Sequence, residues 1–144
     1  METLGNRILK KRKENMFTQK QVAQILGVGG NGYVHYEKDR RRPTVEKLNK
    51  LAILFHTSAH YLITGIETGK NYDEENITPF SERIKELRRK KCMTQKQAAA
   101  ELGIRYTAYQ AYEYGKSEPN LEHLLQLADL FDVTLDELLG RNER

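Results

Sequence analysis

The sequence predicts an all-α protein that consists of two tandem five-helix units joined by a polar linker. Three observations support this prediction: the chain matches itself after a shift of 76 residues, apolar residues recur at helical spacing, and threonine and glycine mark the expected helix ends. The match runs without a gap over residues 7–62, and 21 of its 56 positions are identical. An ungapped match of this length indicates a duplicated domain.

The composition changes between the two copies, and this change predicts the domain boundaries. The first unit covers residues 1–64 and the second covers residues 79–144. Residues 65–78 hold two glycines and four acidic side chains, a composition typical of a flexible tether. We therefore expect an acidic linker of 14 residues between the two units.

The first helix is clearest in the second unit, where Phe80, Ile84 and Leu87 recur on one helical face. Thr78 followed by Pro79 predicts an N-cap with a proline at the first helical position. This helix is therefore expected to begin at Pro79 and to bury its apolar face.

The second helix of each unit has a threonine at its start and a glycine at its end. Thr18 and Thr94 are expected N-caps, while Gly27 and Gly103 permit the left-handed turn that ends a helix. A third helix follows each glycine after a short turn. The third helices are predicted over residues 30–38 and 106–114.

The last two helices of each unit are predicted from proline and hydroxyl side chains. Pro43 and Pro119 are expected to open a fourth helix with leucine, alanine and phenylalanine at core spacing. Ser58 and Thr134 start a short fifth helix, and Thr134 with Glu137 matches a capping box.

The composition argues against several classes of protein. No apolar run approaches the ~18 residues needed to cross a membrane, and the first residues lack the apolar core of a secretion signal, so we expect a cytoplasmic chain. One cysteine, Cys92, permits neither an internal disulfide nor a cysteine metal site, and we expect it to be half-buried at the end of a helix. The histidines are scattered and no phosphate loop or paired acids occur, so no metal, cofactor or enzymatic activity is expected.

The net charge of +4 is distributed unevenly along the chain. Residues 1–64 carry 12 Lys and Arg against 5 Asp and Glu, a net charge of +7. Residues 65–79 carry −3, and the remainder is neutral with 11 residues of each sign. The first unit therefore has the electrostatic character of a protein with an anionic partner.

The second and third helices and their glycine turn resemble the helix-turn-helix of the lambda-repressor-like, XRE-type family. Both copies carry Thr-Gln-Lys-Gln, then Leu-Gly, then Tyr-x-x-Tyr-Glu, then a proline and Leu-x-x-Leu-Ala-x-x-Phe. The resemblance covers residues 7–65 and 83–140. It implies a prokaryotic or phage transcription regulator, most often a repressor, that binds a double-stranded DNA operator.

The resemblance implies that the third helix enters the major groove and presents its first residues to base edges. Asn31 would pair with adenine and His35 with guanine, while the loop arginines would follow the phosphate backbone or reach a minor groove. The residues of the first unit implied to contact DNA are Gln19, Lys20, Gly30, Asn31, His35, Arg40, Arg41 and Arg42.

The matching residues of the second unit differ in character. Tyr106, Thr107 and Ala111 suit apolar contact with a thymine methyl group or no base reading at all. The residues of this unit implied to contact DNA are Gln95, Lys96, Arg105, Tyr106, Thr107, Ala111 and Lys116.

The family pattern also implies one ion pair in each unit, between the first helix and the end of the third. These pairs are Arg12 with Glu37 and Arg88 with Glu113. If exposed, each would contribute ~1 kcal/mol or less.

Two questions remain open at this stage. Gly29-Gly30-Asn31-Gly32 is an unusual helix start, which indicates either close approach of the backbone to DNA or a loosely capped helix. The second unit is either a second reader of DNA or, in an alternative like that of antitoxins and antirepressors, a module that binds a protein partner or forms a homodimer.

Overall fold

The computed structural model describes residues 2–144 and divides the chain into two compact units, Met1–Gly69 and Lys70–Arg144. Within the described residues the first unit contains α1 (Leu4–Glu14), α2 (Gln19–Leu26), α3 (Gly30–Glu37), α4 (Val45–Leu54) and α5 (Ala59–Thr64). The second contains α6 (Phe80–Lys90), α7 (Gln95–Leu102), α8 (Tyr106–Glu113), α9 (Leu121–Phe131) and α10 (Leu135–Leu138). This confirms the predicted all-α architecture of two five-helix units. None of the helices in residues 2–144 has the length and apolar character that crossing a membrane requires.

The boundaries of α2 and α7 agree with those predicted from threonine and glycine, whereas α3 and α8 each end one residue earlier than predicted, at Glu37 and Glu113. Thr18 caps α2 and Thr94 caps α7, each in a capping box with the glutamine three residues later. Gly27 and Gly103 end these helices with φ of 73° and 68°, a conformation that glycine adopts without steric penalty.

Other predicted helix starts are wrong by one or two residues. α6 begins at Phe80 with Pro79 as its N-cap residue, and the Thr78 hydroxyl accepts a hydrogen bond from Arg83 at 3.2 Å instead of capping the helix. α4 and α9 begin two residues after their prolines, because Thr44 and Asn120 supply the capping oxygen atoms.

The predicted capping box at α10 forms only in part. The Thr134 hydroxyl accepts from the backbone N–H of Glu137 at 3.2 Å, as expected. The Glu137 carboxylate is instead paired with the Lys70 ammonium at 3.1 Å. A long-range ion pair has therefore replaced the second hydrogen bond of the box.

The core of each unit is built from its own helices. Both cores are centred on a tyrosine of the third helix, Tyr33 or Tyr109, each with 0% exposure. Other fully enclosed side chains are Ile8, Leu48, Leu51 and Leu62 in the first unit, and Ile84, Leu124, Leu127, Leu135 and Leu138 in the second.

A buried arginine on the first helix joins it to the end of the fifth helix. Arg7 donates to the carbonyl oxygens of Leu62 and Ile63, both at 2.7 Å. In the second unit Arg83 donates to the carbonyl oxygens of Glu137 and Arg141. The carbonyl groups of Leu62, Ile63 and Glu137 lie in the last turn of α5 or α10, where the helix end leaves them without partners inside the helix.

Part of the predicted linker packs onto the second unit. The backbone N–H of Asp73 donates to Asn142 and that of Thr78 to Gly140, at 2.7 and 2.8 Å. Tyr72 is 5% exposed, and its hydroxyl lies 2.9 Å from that of Thr134. Residues 70–78 therefore belong to the compact second unit, although their polar composition predicts a free tether.

The prediction that Cys92 is half-buried is wrong. Cys92 follows the end of α6 with φ of 55°, and it is exposed. Met16 occupies the same place after α1, with φ of 62° and 89% exposure. The left-handed backbone turns both side chains away from the core, which the apolar character of these residues does not reveal.

Candidate nucleic-acid interface

The second and third helices of each unit pack against each other as a helix-turn-helix. In the first unit the chain leaves α2 at Gly27 and enters α3 through Gly29, which has extended backbone angles. α7 and α8 repeat this arrangement in the second unit. The first turns of α3 and α8 lie at the surface, because residues 29–31 and 105–107 are all exposed.

The last residue of α3, Glu37, is buried and connects three helices of the first unit. Its carboxylate accepts from Arg12 Nε at 2.6 Å, from Arg12 Nη2 at 3.2 Å and from Gln19 Nε2 at 3.0 Å. Arg12 Nη1 also donates to the carbonyl oxygen of Phe17 at 2.9 Å. The Glu37 side chain is only 1% exposed and that of Arg12 11%. This network fixes the orientation of α3 relative to α1 and α2.

The network also fixes the charge states of its members. Burial opposes ionisation of Glu37, but hydrogen bonds from Arg12 and Gln19 hold the pKa of this carboxyl below its ordinary value. Burial, together with the adjacent Glu37 carboxylate, raises the pKa of Tyr33. At neutral pH the carboxylate is therefore ionised and the tyrosine is neutral.

The second unit contains the same network at the equivalent positions. Glu113 accepts from Arg88 Nε at 2.6 Å, from Arg88 Nη2 at 3.1 Å and from Gln95 Nε2 at 3.0 Å. Its side chain is 0% exposed, and hydrogen bonds from Arg88 and Gln95 lower the pKa of this carboxyl against the opposing effect of burial. Both ion pairs are thus buried, and the ~1 kcal/mol limit for an exposed pair does not apply to them.

The two glutamines that open α2 and α7 have a structural contact besides any contact with DNA. Gln19 and Gln95 are half-buried, and each directs its amide nitrogen to the buried glutamate. The lysines that follow them, Lys20 and Lys96, are exposed. The glutamine contact was not anticipated, because the family pattern shows the spacing of these residues but not their partners.

The other predicted DNA contacts of the first unit lie at the first turn of α3 and in the loop after it. Asn31, Arg40 and Arg41 are exposed, whereas His35 and Arg42 are half-buried. Gly30 is exposed at the first position of α3, and a Cβ atom built there would meet no atom within 4 Å. Packing inside the unit therefore does not require glycine at this position.

Asp39 holds the loop after α3 and was missed by sequence reasoning. Its φ is 58°, in the left-handed region, which aspartate tolerates better than most residues. Its carboxylate accepts from the Gly5 N–H at 2.8 Å and from the Thr3 hydroxyl. The following N–H groups, of Arg40 and Arg41, both donate to the His35 carbonyl oxygen at 2.9 and 3.3 Å. The loop arginines therefore start from a fixed backbone.

The corresponding surface of the second unit contains a cluster of polar side chains. The side-chain oxygen Oε1 of Gln95 accepts from the Tyr106 hydroxyl at 3.5 Å and from Gln110 Nε2 at 3.4 Å. The Lys96 ammonium lies 5.5 Å from the centre of the Tyr106 ring. Gln110 was not among the predicted site residues, because the first unit has a valine at its position. Of the other predicted residues, Ala111 is half-buried, and the exposed ones are Arg105, Thr107 and Lys116.

Comparison with known proteins identifies the same motif in both units. A family model described as helix-turn-helix matches residues 8–62 and 84–138, which together are more than half of the chain. No solved structure is significantly similar to the chain.

Several similar proteins carry names of transcription regulators. The HTH-type transcriptional regulator AnsR of Bacillus subtilis (strain 168) is 49% identical over 63 residues, which are 44% of this chain and 54% of AnsR. The HTH-type transcriptional regulator ImmR of the same organism is 33% identical over 87 residues, 60% of this chain and 68% of ImmR. The cryptic phage CTXphi transcriptional repressor RstR of Vibrio cholerae is 42% identical over 62 residues, 43% of this chain and 55% of RstR.

The chain spans about half the length of most of the curated relatives that it matches. The family match, by contrast, covers nearly all of the helical part of each unit. It confirms the resemblance that the threonine, glycine and tyrosine motifs indicated. The chain therefore belongs to the helix-turn-helix family and carries two tandem copies of the family domain.

Proposed function

We propose that this chain is a sequence-specific DNA-binding transcription regulator that acts as a repressor. In this proposal α3 of the first unit enters the major groove of a double-stranded operator and presents Asn31 and His35 to base edges. The names of the relatives, which include regulators and a phage repressor, support this function.

The observation that carries the proposal is a rigidly held third helix whose first turn is exposed. The buried Glu37 fixes one end of α3 through Arg12 and Gln19, while Asn31 is exposed at the other end. A side chain that reads bases must be held in register by the scaffold beneath it. An exposed asparagine amide offers the paired donor and acceptor that match the major-groove edge of adenine.

The charge of the first unit supports the same function. Its net charge of +7 includes Arg40, Arg41 and Arg42 in the loop beside α3. Cationic side chains that neutralise phosphates release counterions from DNA and supply affinity that is independent of sequence. The loop after α3 would therefore anchor the unit while the helix reads the groove.

A second candidate function concerns the second unit alone. Ser117 and Glu118 stand where the first unit has Arg41 and Arg42, and two of the polar groups on α8 are bonded to Gln95. These features favour a unit that contributes little base reading and that binds a protein partner or a second copy of the chain.

The experiment that tests the proposal is selection of binding sites from a random duplex DNA pool by the full-length chain. A two-part motif would indicate that both units read bases, and a single short motif would favour base reading by the first unit. Selection of no motif, with equal affinity for all duplexes, would contradict the proposal of sequence-specific binding.

The variant Asn31→Ala locates the reading surface. It should reduce discrimination at one base pair of the selected site by about 5- to 150-fold, the range for a good bidentate contact. Thr107→Ala, at the equivalent position of α8, is the matched control for the second unit. If Asn31→Ala lowers the affinity for the selected site and for random DNA by the same factor, Asn31 does not contribute to base recognition.

A further inference from the structure

We propose that Arg41 reads a base pair from beside α3 and that Gly32 provides the space in which its guanidinium group lies. This inference rests on the proposed DNA-binding function and adds a specificity-determining residue outside the recognition helix. It replaces a purely phosphate-anchoring role for Arg41.

The structure places the Arg41 guanidinium against the first turn of α3. Arg41 Nη1 lies 4.0 Å from the position that a Cβ atom on Gly32 would occupy, and apart from the adjacent residues and backbone of α3 itself no other heavy atom lies within 4 Å of that position. His35 lies one helical turn after Gly32 on the same face of α3, and Asn31 lies one turn before His35. The guanidinium group therefore lies against the same end of α3 that carries the two side chains proposed to read bases.

The backbone of the loop directs Arg41 toward this position. Asp39 adopts a left-handed conformation and is bound through its carboxylate to the N-terminal end of α1. The next two N–H groups both donate to the His35 carbonyl oxygen, which holds the returning chain close to α3. A fixed backbone of this kind limits the positions that the Arg41 side chain reaches.

The second unit has the same loop backbone without the arginine. Lys116 and Ser117 donate their N–H groups to the Ala111 carbonyl oxygen at 2.9 and 3.4 Å, as the equivalent residues of the first unit do to His35. Ala108 stands at the position of Gly32, and Ser117 stands at that of Arg41. The long side chain and the glycine beside it thus occur together in one unit, and both are absent from the other.

The chemistry of a guanidinium group fits this position better than that of an ammonium group. Arginine donates two parallel hydrogen bonds to O6 and N7 of guanine, the commonest specific contact in the major groove. Lysine carries the same charge but lacks the planar fork of donors. Arg41→Lys should therefore retain phosphate attraction and lose most of the discrimination at one base pair.

The test compares full-length variants on the selected site, on its single-base variants and on random duplex DNA. Arg41→Lys should reduce discrimination at one base pair by about 5- to 150-fold and change affinity for random DNA by less than about threefold. Arg89→Lys, at an exposed position of α6 outside the proposed interface, is the matched control and should leave every base preference unchanged.

Variants of Gly32 test whether this residue provides the space. Gly32→Ala should preserve base preference, because a Cβ atom at 4.0 Å makes ordinary contact, whereas Gly32→Leu should remove the same preference as Arg41→Lys. In an Arg41→Ala background, Gly32→Leu should cause no further loss at that base pair.

The outcomes separate the inference from the proposed function. If the wild-type chain selects a motif and Arg41→Lys keeps every base preference, the role assigned to Arg41 is wrong while the DNA-binding function stands. An additional loss from Gly32→Leu in the Arg41→Ala background would show that leucine acts on DNA directly and would contradict the role of Gly32. If the wild-type chain selects no motif, the proposed function itself fails.

Discussion

The two units share a buried polar network but differ at the surface where the third helix begins. In both, the glutamate that ends this helix lies 2.6 Å from an arginine and 3.0 Å from a glutamine. At the surface, Gly29 and Gly30 of the first unit are replaced by Arg105 and Tyr106 in the second. The same interior network therefore orients two third helices that present different surfaces.

This comparison suggests how one duplicated unit can acquire two binding surfaces. The first unit has a bare helix start and three arginines in the following loop, whereas the second has an aromatic ring and a single lysine. None of the differing side chains bonds to either glutamate, and Tyr106 touches the network only through the side-chain oxygen of Gln95. Each surface can change without loss of the fold beneath it.

The largest expected effect comes from removal of the buried glutamates, which tests whether the two networks are equivalent. Glu37→Ala and Glu113→Ala should each destabilise their own unit by about 3–5 kcal/mol, because each leaves a largely buried arginine without its carboxylate partner. Urea unfolding of the full chain, followed by hydrogen exchange in peptides from each unit, measures both effects.

The control for these variants is Glu46→Ala. Glu46 is 78% exposed on its side chain and pairs with Lys50 at i,i+4, so its removal should change stability by less than about 0.5 kcal/mol. A loss below about 1 kcal/mol for either buried glutamate, or clearly unequal losses, would contradict the equivalence of the two networks.

The second prediction concerns pH. The pKa values of Glu37 and Glu113 are lower in the folded chain than the ordinary value of 4.5. The two carboxylates therefore stabilise the fold above pH 4.5. They lose this contribution as the pH falls through their lower pKa values in the folded state. Unfolding free energy should therefore decrease as pH falls below about 5. Glu37→Gln and Glu113→Gln should flatten this decrease in their own units, as measured by urea titrations at several pH values. An unchanged slope in both variants would exclude the network as its source.

The third prediction concerns the contact between the first and third helices. Each unit has a glycine on one side of this contact, but on opposite sides in the two units. In the first unit Gly5 faces Asp39, and in the second Ser81 faces Gly115. A Cβ atom on Gly5 would lie 2.6 Å from the Glu37 carbonyl oxygen, so Gly5→Ala should destabilise the first unit by about 1–3 kcal/mol.

The counterpart of this variant is Ser81→Ala, which should change stability by less than about 0.5 kcal/mol because a side chain already fits there. Thermal unfolding of both variants checks the difference. A Gly5→Ala chain as stable as the wild type would show that α1 shifts freely, and it would weaken the view of the interior as a fixed scaffold.

Local signals in the sequence were sufficient to predict the helix-turn-helix of both units. Thr18 and Gly27 act on their own backbone neighbours, so their residue types alone indicate where α2 begins and ends. The alignment of the two units then gives the equivalent helix boundaries in the second unit. The family resemblance supplied the partners of Arg12 and Arg88, which spacing alone does not reveal.

The features that were not predicted depend on contacts between residues distant in the sequence. Gln19 donates to a glutamate 18 residues away, and Asp39 accepts from the backbone N–H of Gly5, 34 residues away. The segment 70–78 has a polar composition but pairs with residues 140–144 through its backbone, whose hydrogen bonds leave no periodic pattern in the sequence. The left-handed conformation of non-glycine residues such as Asp39 and Cys92 is likewise not indicated by any sequence pattern.

The smallest expected effect decides between the two interpretations of the glycine-rich start of α3. Gly30→Ala should raise the stability of the first unit by about 0.4–1 kcal/mol, since the new methyl group meets no atom within 4 Å and alanine favours a helix. Ala108→Gly, in the first turn of α8, is the reverse change and should lower the stability of the second unit by a similar amount.

The affinity of the Gly30→Ala chain for its selected DNA site completes this comparison. If the glycine is there to let the backbone approach DNA closely, affinity should fall although the fold becomes more stable, because the methyl group then occupies space needed by the duplex. If the helix start is only loosely capped, the same variant should bind DNA as well as the wild type or better, since less ordering of the helix remains to be completed on binding. Because the two interpretations predict opposite changes in affinity at the same change in stability, binding and unfolding measured on this one variant distinguish them.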